Sequence, residues 1–398
     1  MAERPFTIAP HSEAEAAVRA LLHQIRDIVV AELEPSALLL SGSFARGEGG
    51  AYLAGGAVHT TSDVDLIAVY RGPASLVRTV VARRRAARLS ARLRRMFPAV
   101  RIDLTVRPAL LFVWPPATLD YYDLLRSART LWGAVHLPPP AAVRVDDVPA
   151  EELRRALVKR GVGLLAAWLR LDAASDLPAE ADARETQSEI DKGFLVCGDV
   201  WLHRFDKYDH RLLIRMERMR HLPRRDGPSD SLRIEYDASG SRRLAPGPLV
   251  SRSAAPYRAR WREAALEWTR AADLLAEWGR RRATPRGIHP WRHPARAARH
   301  AVGMVRRLIR GLPSPARQRE ALPLLLQLAL EDGGSAWLYP TIAGLLRLPP
   351  SDRSDLAALI RAFLFAWDGG SGISVQGSER ASVASWRDPL LLPIRRPA

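Results

Sequence analysis

The chain has 398 residues, 47% of them hydrophobic and 7% aromatic, a composition that supports two or three packed domains and excludes a disordered or fibrous protein. No apolar run reaches the roughly 18 residues that a membrane helix needs. Met1 to Pro10 carries Glu3 and Arg4 without an apolar stretch, so the expectation is a cytoplasmic protein with no secretory signal. A single cysteine, Cys197, excludes an internal disulfide and a cysteine-rich zinc site. The net charge of +17 points toward an acidic partner, but 57 of the cations are Arg, only Lys159, Lys192 and Lys207 are Lys, and Asn is absent, the skew of a GC-rich genome. Arg280 to Arg319 holds twelve Arg and no acidic residue, so most of the excess is local, and nucleic-acid binding there is expected to be weak.

An amphipathic helix opens the chain, because Val18, Leu21, Leu22, Ile25, Val29 and Leu33 follow the spacing of one buried stripe. Ala37 to Leu40 reads as a strand that runs into Ser41, Gly42 and Ser43, small residues that permit a sharp turn into a helix. Tyr52-Leu53 and Val58-His59 flank Gly55-Gly56 and predict a hairpin. Val64 to Val69 is the next strand, Arg78 to Met96 a basic crossover helix, and Val100 to Val106 a third strand. Leu119 to Ser127 reads as a helix and Arg129 to Trp132 as a short edge strand, closing an α/β unit.

Beyond Pro138 to Pro140 helical periodicity takes over, at Glu152 to Leu171, Glu185 to Met219, Tyr257 to Trp278, Ala295 to Ile309, Arg319 to Leu330 and Asp352 to Trp367. Pro223 to Ser253 is turn-rich and polar and predicts a hairpin or loop. The expected organisation is an α/β (α+β) domain with a small mixed sheet over residues 1–145. A helical domain over 150–285, a basic helical subdomain over 286–370 and a loosely packed tail over 371–398 make the rest an all-α C-terminal region.

Three pieces of the first unit carry chemistry. Side chains alternate along a strand, so Asp63 and Asp65 face one way, about 7 Å apart, while Val64, Leu66 and Ala68 face a core. Asp103, between Ile102 and Leu104 on a neighbouring strand, adds a third carboxylate. Such a cluster repels itself unless a cation neutralises it, and carboxylate oxygens with room for water and phosphate suit magnesium. Gly42 and Ser43, at a helix start, offer backbone N–H groups to an anion.

The runs Leu38-Leu39-Leu40-Ser41-Gly42-Ser43, Ser62-Asp63-Val64-Asp65-Leu66-Ile67 and Arg101-Ile102-Asp103-Leu104 resemble the DNA polymerase beta-type nucleotidyltransferases, whose small bacterial members include the minimal and aminoglycoside enzymes. Asp123 to Gly133 resembles the helix and edge strand that often close such domains, and the likeness covers about the first third of the chain. The resemblance implies an enzyme that binds ATP or another NTP with Mg2+ (or Mn2+) and transfers a nucleoside monophosphate, AMP the leading choice, to a hydroxyl of a small-molecule acceptor, releasing pyrophosphate. Asp63, Asp65 and Asp103 would hold the metal and be catalytic, Asp103 also taking the acceptor's proton. Gly42, Ser43, Arg46 and Ser62 would bind the nucleotide.

Ser43 and Asp63 lie 20 positions apart, a longer gap than the family's motif usually has, and the excess in Gly49 to Thr60 is read evenly as a specificity lip or a tolerated loop. Arg71, Lys192 and Lys207 are weaker phosphate candidates, and His289, His293 and His300 lack ligand spacing. Trp261, Trp268 and Trp278 fall at helical spacing and read as core. Two alternatives stand beside the leading reading: transfer to RNA or protein, and a non-catalytic binder of nucleic acid or an anionic surface through Arg280 to Arg319.

Overall fold

The computed structural model of the chain describes residues 4–9, 12–72, 75–113, 115, 117–172, 180–246 and 253–281. The expected helices at 295–309, 319–330 and 352–367, the three histidines, the tail and nearly all of the Arg280 to Arg319 segment lie outside the described residues. What is described is mixed α+β, mostly helical, with a small mixed sheet. It divides into two units, Met1–Leu153 with Asp191–Ser251, and Arg154–Ile190 with Arg252 onward, so the block expected at 150–285 is shared between them. Among the described residues no helix is long and apolar enough to cross a membrane.

In the first unit, helix α1 (Glu13–Leu33) leads to strand β1 (Ala37–Ser41), a one-turn helix α2 (Gly42–Arg46) and the hairpin β2 (Ala51–Ala54) and β3 (Ala57–Thr60). Strand β4 (Val64–Tyr70), crossover helix α3 (Ser75–Met96) and strand β5 (Ile102–Pro108) follow. Helices α4 (Leu110–Val113) and α5 (Leu119–Ser127) and edge strand β6 (Arg129–Gly133) complete the α/β part. The sheet order is β5-β4-β1-β6, with β4 and β5 parallel and β1 antiparallel to both of its neighbours.

Strand alternation sorts the core onto two faces. Leu38, Leu40, Val64, Leu66 and Ala68 pack against α1 and α3, and Ala37, Leu39, Ile67 and Val69 against Phe112, Tyr121 and Leu124 of α4 and α5. Both strands are buried on both sides, which explains their nearly unbroken apolar sequence. The predicted stripe of α1 is buried throughout. Before it, residues 4–9 form an arm held by Glu15, whose buried carboxylate accepts the amides of Phe6 and Thr7 at 2.8–3.0 Å.

Helices α6 (Ala150–Asp172), α7 (Glu180–Arg204), α8 (Leu212–Arg220), α9 (Asp230–Leu244) and α10 (Ala254–Arg281) complete the described chain. Two expectations are refined here. The helical stretch expected over Glu185 to Met219 is two helices, because Asp206 takes a left-handed conformation at φ 56° and Lys207 N–H donates back to Leu202 O at 2.7 Å, closing the end of α7. The loop expected over Pro223 to Ser253 contains α9, whose start is capped by Ser229, its hydroxyl accepting Leu232 N–H at 3.0 Å. Cys197 is fully buried on α7. In the second unit Trp261 and Trp268 are core, as expected, and their indole N–H groups donate to Leu164 O at 2.6 Å and Leu157 O at 2.7 Å.

Candidate active site

Sheet register brings two of the three aspartates side by side. Asp65 pairs directly with Asp103 on the parallel neighbour β5 and with Ser41 on β1, so both carboxylates leave the sheet on the face of Ile67 and Val69. Asp63, two residues earlier, precedes β4 at the same end. Each of the three residues is half-buried. Burial, then repulsion from Asp63 and Asp103, pushes the Asp65 carboxyl up to about 8, against the pull of Arg46 and Arg243. The protonated form therefore dominates at neutral pH while nothing cationic is bound. Asp103 also faces Arg94, whose Nη2 lies 3.8 Å from Oδ1.

Gly42 has to be glycine. Its φ is +70°, and a Cβ there would overlap Asp65 Oδ2, so the carboxylate lies directly over its backbone. The helix that Gly42 starts has only five residues, and its dipole adds little. Local positive charge comes instead from two guanidinium groups on Ser43: Arg46 Nη2 donates to Ser43 Oγ at 3.3 Å and Arg243 Nη2 at 3.5 Å. Ser62, expected at the nucleotide, is fully buried, and its hydroxyl accepts Gly50 N–H at 3.0 Å. It fastens the base of the hairpin rather than facing a ligand.

Behind Arg46 lies a buried polar network with no counterpart in the sequence expectations. Arg46 bridges Glu48 at 3.2 Å and Asp123 at 3.6 Å. Glu48 is buried and accepts the first amides of α8, Leu212 N–H at 2.9 Å and Leu213 N–H at 3.1 Å. Burial raises the Asp123 carboxyl to about 6 although Arg46 and Arg215 oppose it, and Tyr208 donates its hydroxyl to it at 3.4 Å. Arg215 in turn pairs with Asp199, which accepts the Tyr236 hydroxyl at 2.7 Å.

Sequence reasoning thus located Asp63, Asp65, Asp103, Gly42, Ser43 and Arg46 in one place but missed Arg243, Glu48, Asp123 and Tyr208. Arg71 and Lys207 are exposed, and Lys192 is buried. The hairpin expected in Gly49 to Thr60 is present, with Tyr52 and His59 stacked at 5.2 Å. Among the described residues no group of three or more His, Cys, Asp or Glu side chains is already gathered as a metal site. The donor set is all carboxylate, which fits a hard divalent cation whose remaining ligands come from elsewhere. Comparison with protein-family models, with curated proteins and with solved structures returned no match.

Proposed function

We propose that this chain is a magnesium- or manganese-dependent nucleotidyltransferase that moves a nucleoside monophosphate, AMP the leading choice, from an NTP to a hydroxyl of a small-molecule acceptor. One observation carries the reading: Asp65 and Asp103 pair on one sheet face with Asp63 two residues earlier at the same end, all beside Gly42 and Ser43, so that burial and like-charge repulsion raise the Asp65 carboxyl. A site with so strained a carboxylate set is arranged to receive positive charge.

Asp63, Asp65 and Asp103 would hold the metal, with triphosphate oxygens completing its ligands. When bound, the metal supplies charge that stabilises the attacking and leaving oxygens together. The chain's own residues position and neutralise. Arg46 and Arg243 bring two cations to Ser43, where phosphate charge would gather, and Glu48 and Asp123 hold Arg46 in place. Asp103 takes the acceptor's proton. Little covalent chemistry by the protein is required.

The deciding experiment supplies each labelled NTP with Mg2+ and a cell extract and follows label into new products. A product heavier by one nucleoside monophosphate, formed with pyrophosphate and abolished by EDTA, is expected. Absence of any metal-dependent transfer, or full transfer by Asp65→Asn, overturns the proposal.

A further inference from the structure

We propose that a second, basic cavity of the first unit binds a phosphate-bearing small molecule, and that it does so without a divalent metal. The cavity has a volume of about 540 Å3, and its lining includes Arg4, Arg46, Arg126, Arg129, Arg211 and His210 but no acidic side chain. It contains none of Asp63, Asp65 and Asp103 but shares Arg46 with the candidate active site, so its test is metal-free binding rather than transfer.

The wall is built rather than incidental. Arg129 Nε donates to Ala45 O at 2.7 Å and its Nη1 to Arg4 O at 2.6 Å, tying the edge strand to the N-terminal arm. Arg126 donates to Val143 O at 3.0 Å and lies 3.7 Å above the Tyr122 ring. Carbonyl oxygens and the aromatic face fix the Arg126 guanidinium in direction without cancelling its charge. The arm that brings Arg4 is held by the buried Glu15. Carboxylates do reach the neighbourhood: Glu48 and Asp123 engage Arg46, and Asp209 engages His210 and Arg211. Among the described residues, five arginines of the lining face these three acids.

Phosphate fits this arrangement better than carboxylate does. The guanidinium groups come from four chain segments, and a phosphate dianion brings twice the charge of a carboxylate and acceptor oxygens in tetrahedral rather than planar directions. The volume lies within the range of about 300–1,000 Å3 usual for small-molecule sites and exceeds what a bare phosphate needs, so the organic part of a phosphate monoester is accommodated too. Because the charge is supplied by arginine, binding needs no metal.

The test is calorimetric titration of the full chain in EDTA at physiological salt, using glucose 6-phosphate, inorganic phosphate and citrate as probes. Sub-millimolar glucose 6-phosphate binding is expected, with citrate weaker by about tenfold or more. The Arg4→Ala/Arg211→Ala double variant, which alters exposed side chains, is expected to weaken the sugar phosphate by about tenfold, and Arg126→Gln to lose it. Should Arg126→Gln fail to fold, the double variant alone decides. Asp65→Asn is expected to leave this binding unchanged. No binding at roughly 10 mM probe, citrate as tight as the phosphates, binding unaffected by the double variant, or binding lost in Asp65→Asn would each overturn the proposal. None of these results depends on transfer activity, so the two proposals fail separately.

Discussion

Asp65 stores the largest electrostatic conflict described at the site. Its folded-state proton affinity, raised to about 8, exceeds the ordinary carboxylate value near 4, so the folded protein binds that proton more tightly than the unfolded chain does. The resulting stability is fully present below about pH 4 and is lost as pH rises through 8. Asp123, raised to about 6, acts with the same sign over the lower part of that window. Urea melts of metal-free protein at pH 5, 6.5 and 8 are therefore expected to show falling stability. Asp65→Asn is expected to flatten the fall and to gain about 1–3 kcal/mol at pH 8, while cutting nucleotide transfer by about 100-fold or more. A steeper fall in the variant would contradict the assignment.

Gly42 gives a second residue-scale prediction. Gly42→Ala forces a side chain into both a left-handed backbone and the Asp65 carboxylate, and a cost of about 2–4 kcal/mol is expected. Gly56 is the control: its φ is +76° but nothing lies within 4 Å of a Cβ, so Gly56→Ala should cost only about 1 kcal/mol. Equal costs in thermal melts would show that strain alone, and not the packed carboxylate, explains Gly42.

At the scale of elements, the hairpin and α8 behave oppositely. Ala51 and Val58 pack on the α1 side of the core, and Thr60 N–H donates to Ala99 O at 3.0 Å, so the base of the hairpin is structural while Gly55-Gly56 is open. Trimming the tip should leave the melting temperature nearly unchanged, since surface loop length costs little. A cut that takes Ala51 and Val58 should lower it by several degrees. For α8, Glu48→Ala removes the acceptor of one buried and one partly buried amide and is expected to cost about 1–3 kcal/mol. Hydrogen exchange at Leu212 and Leu213 should quicken, and unchanged exchange would deny Glu48 its capping role.

These elements also show what a sequence can and cannot disclose. β1 and β4 were legible because both faces are buried and apolar residues crowd them, and β5 because apolar residues alternate along it; Asp63, expected to share a face of β4 with Asp65, lies just before that strand. α9 was not, since its buried positions include Ser239 and Gly240, which fit close contacts with Asp191 and Met216 rather than an apolar stripe. Its Ser229 cap lies in a segment whose Pro, Gly and polar residues read as turns. Missing α9 meant missing Arg243, which meets Ser43 across 200 positions. No local pattern encodes so distant a pairing. Glu48 and Asp123 were hidden for a related reason: their partners Leu212 and Tyr208 are set by tertiary packing.

For the whole molecule, the charge of +17 is a physical property whatever the site does. Positive charge without base-reading geometry binds nucleic acid through released counterions, so weak binding with a steep salt dependence and no sequence preference is expected. Fluorescence titration of labelled single-stranded RNA at 50 and 150 mM salt should show affinity falling by about tenfold or more. Tight, selective binding at the higher salt would favour the nucleic-acid reading over transfer to a small molecule.

Cys197 turns that same molecule into its own stopwatch. Being the sole thiol and fully buried on α7, it can meet an aromatic disulfide reagent only when the packing around that helix opens. The rate at which the native protein consumes such a reagent therefore counts openings of the unit that carries both the carboxylates and the basic cavity. A compound that occupies either one and steadies the unit should lengthen that interval, so ligands can be recognised by a colour change before any reaction product is known.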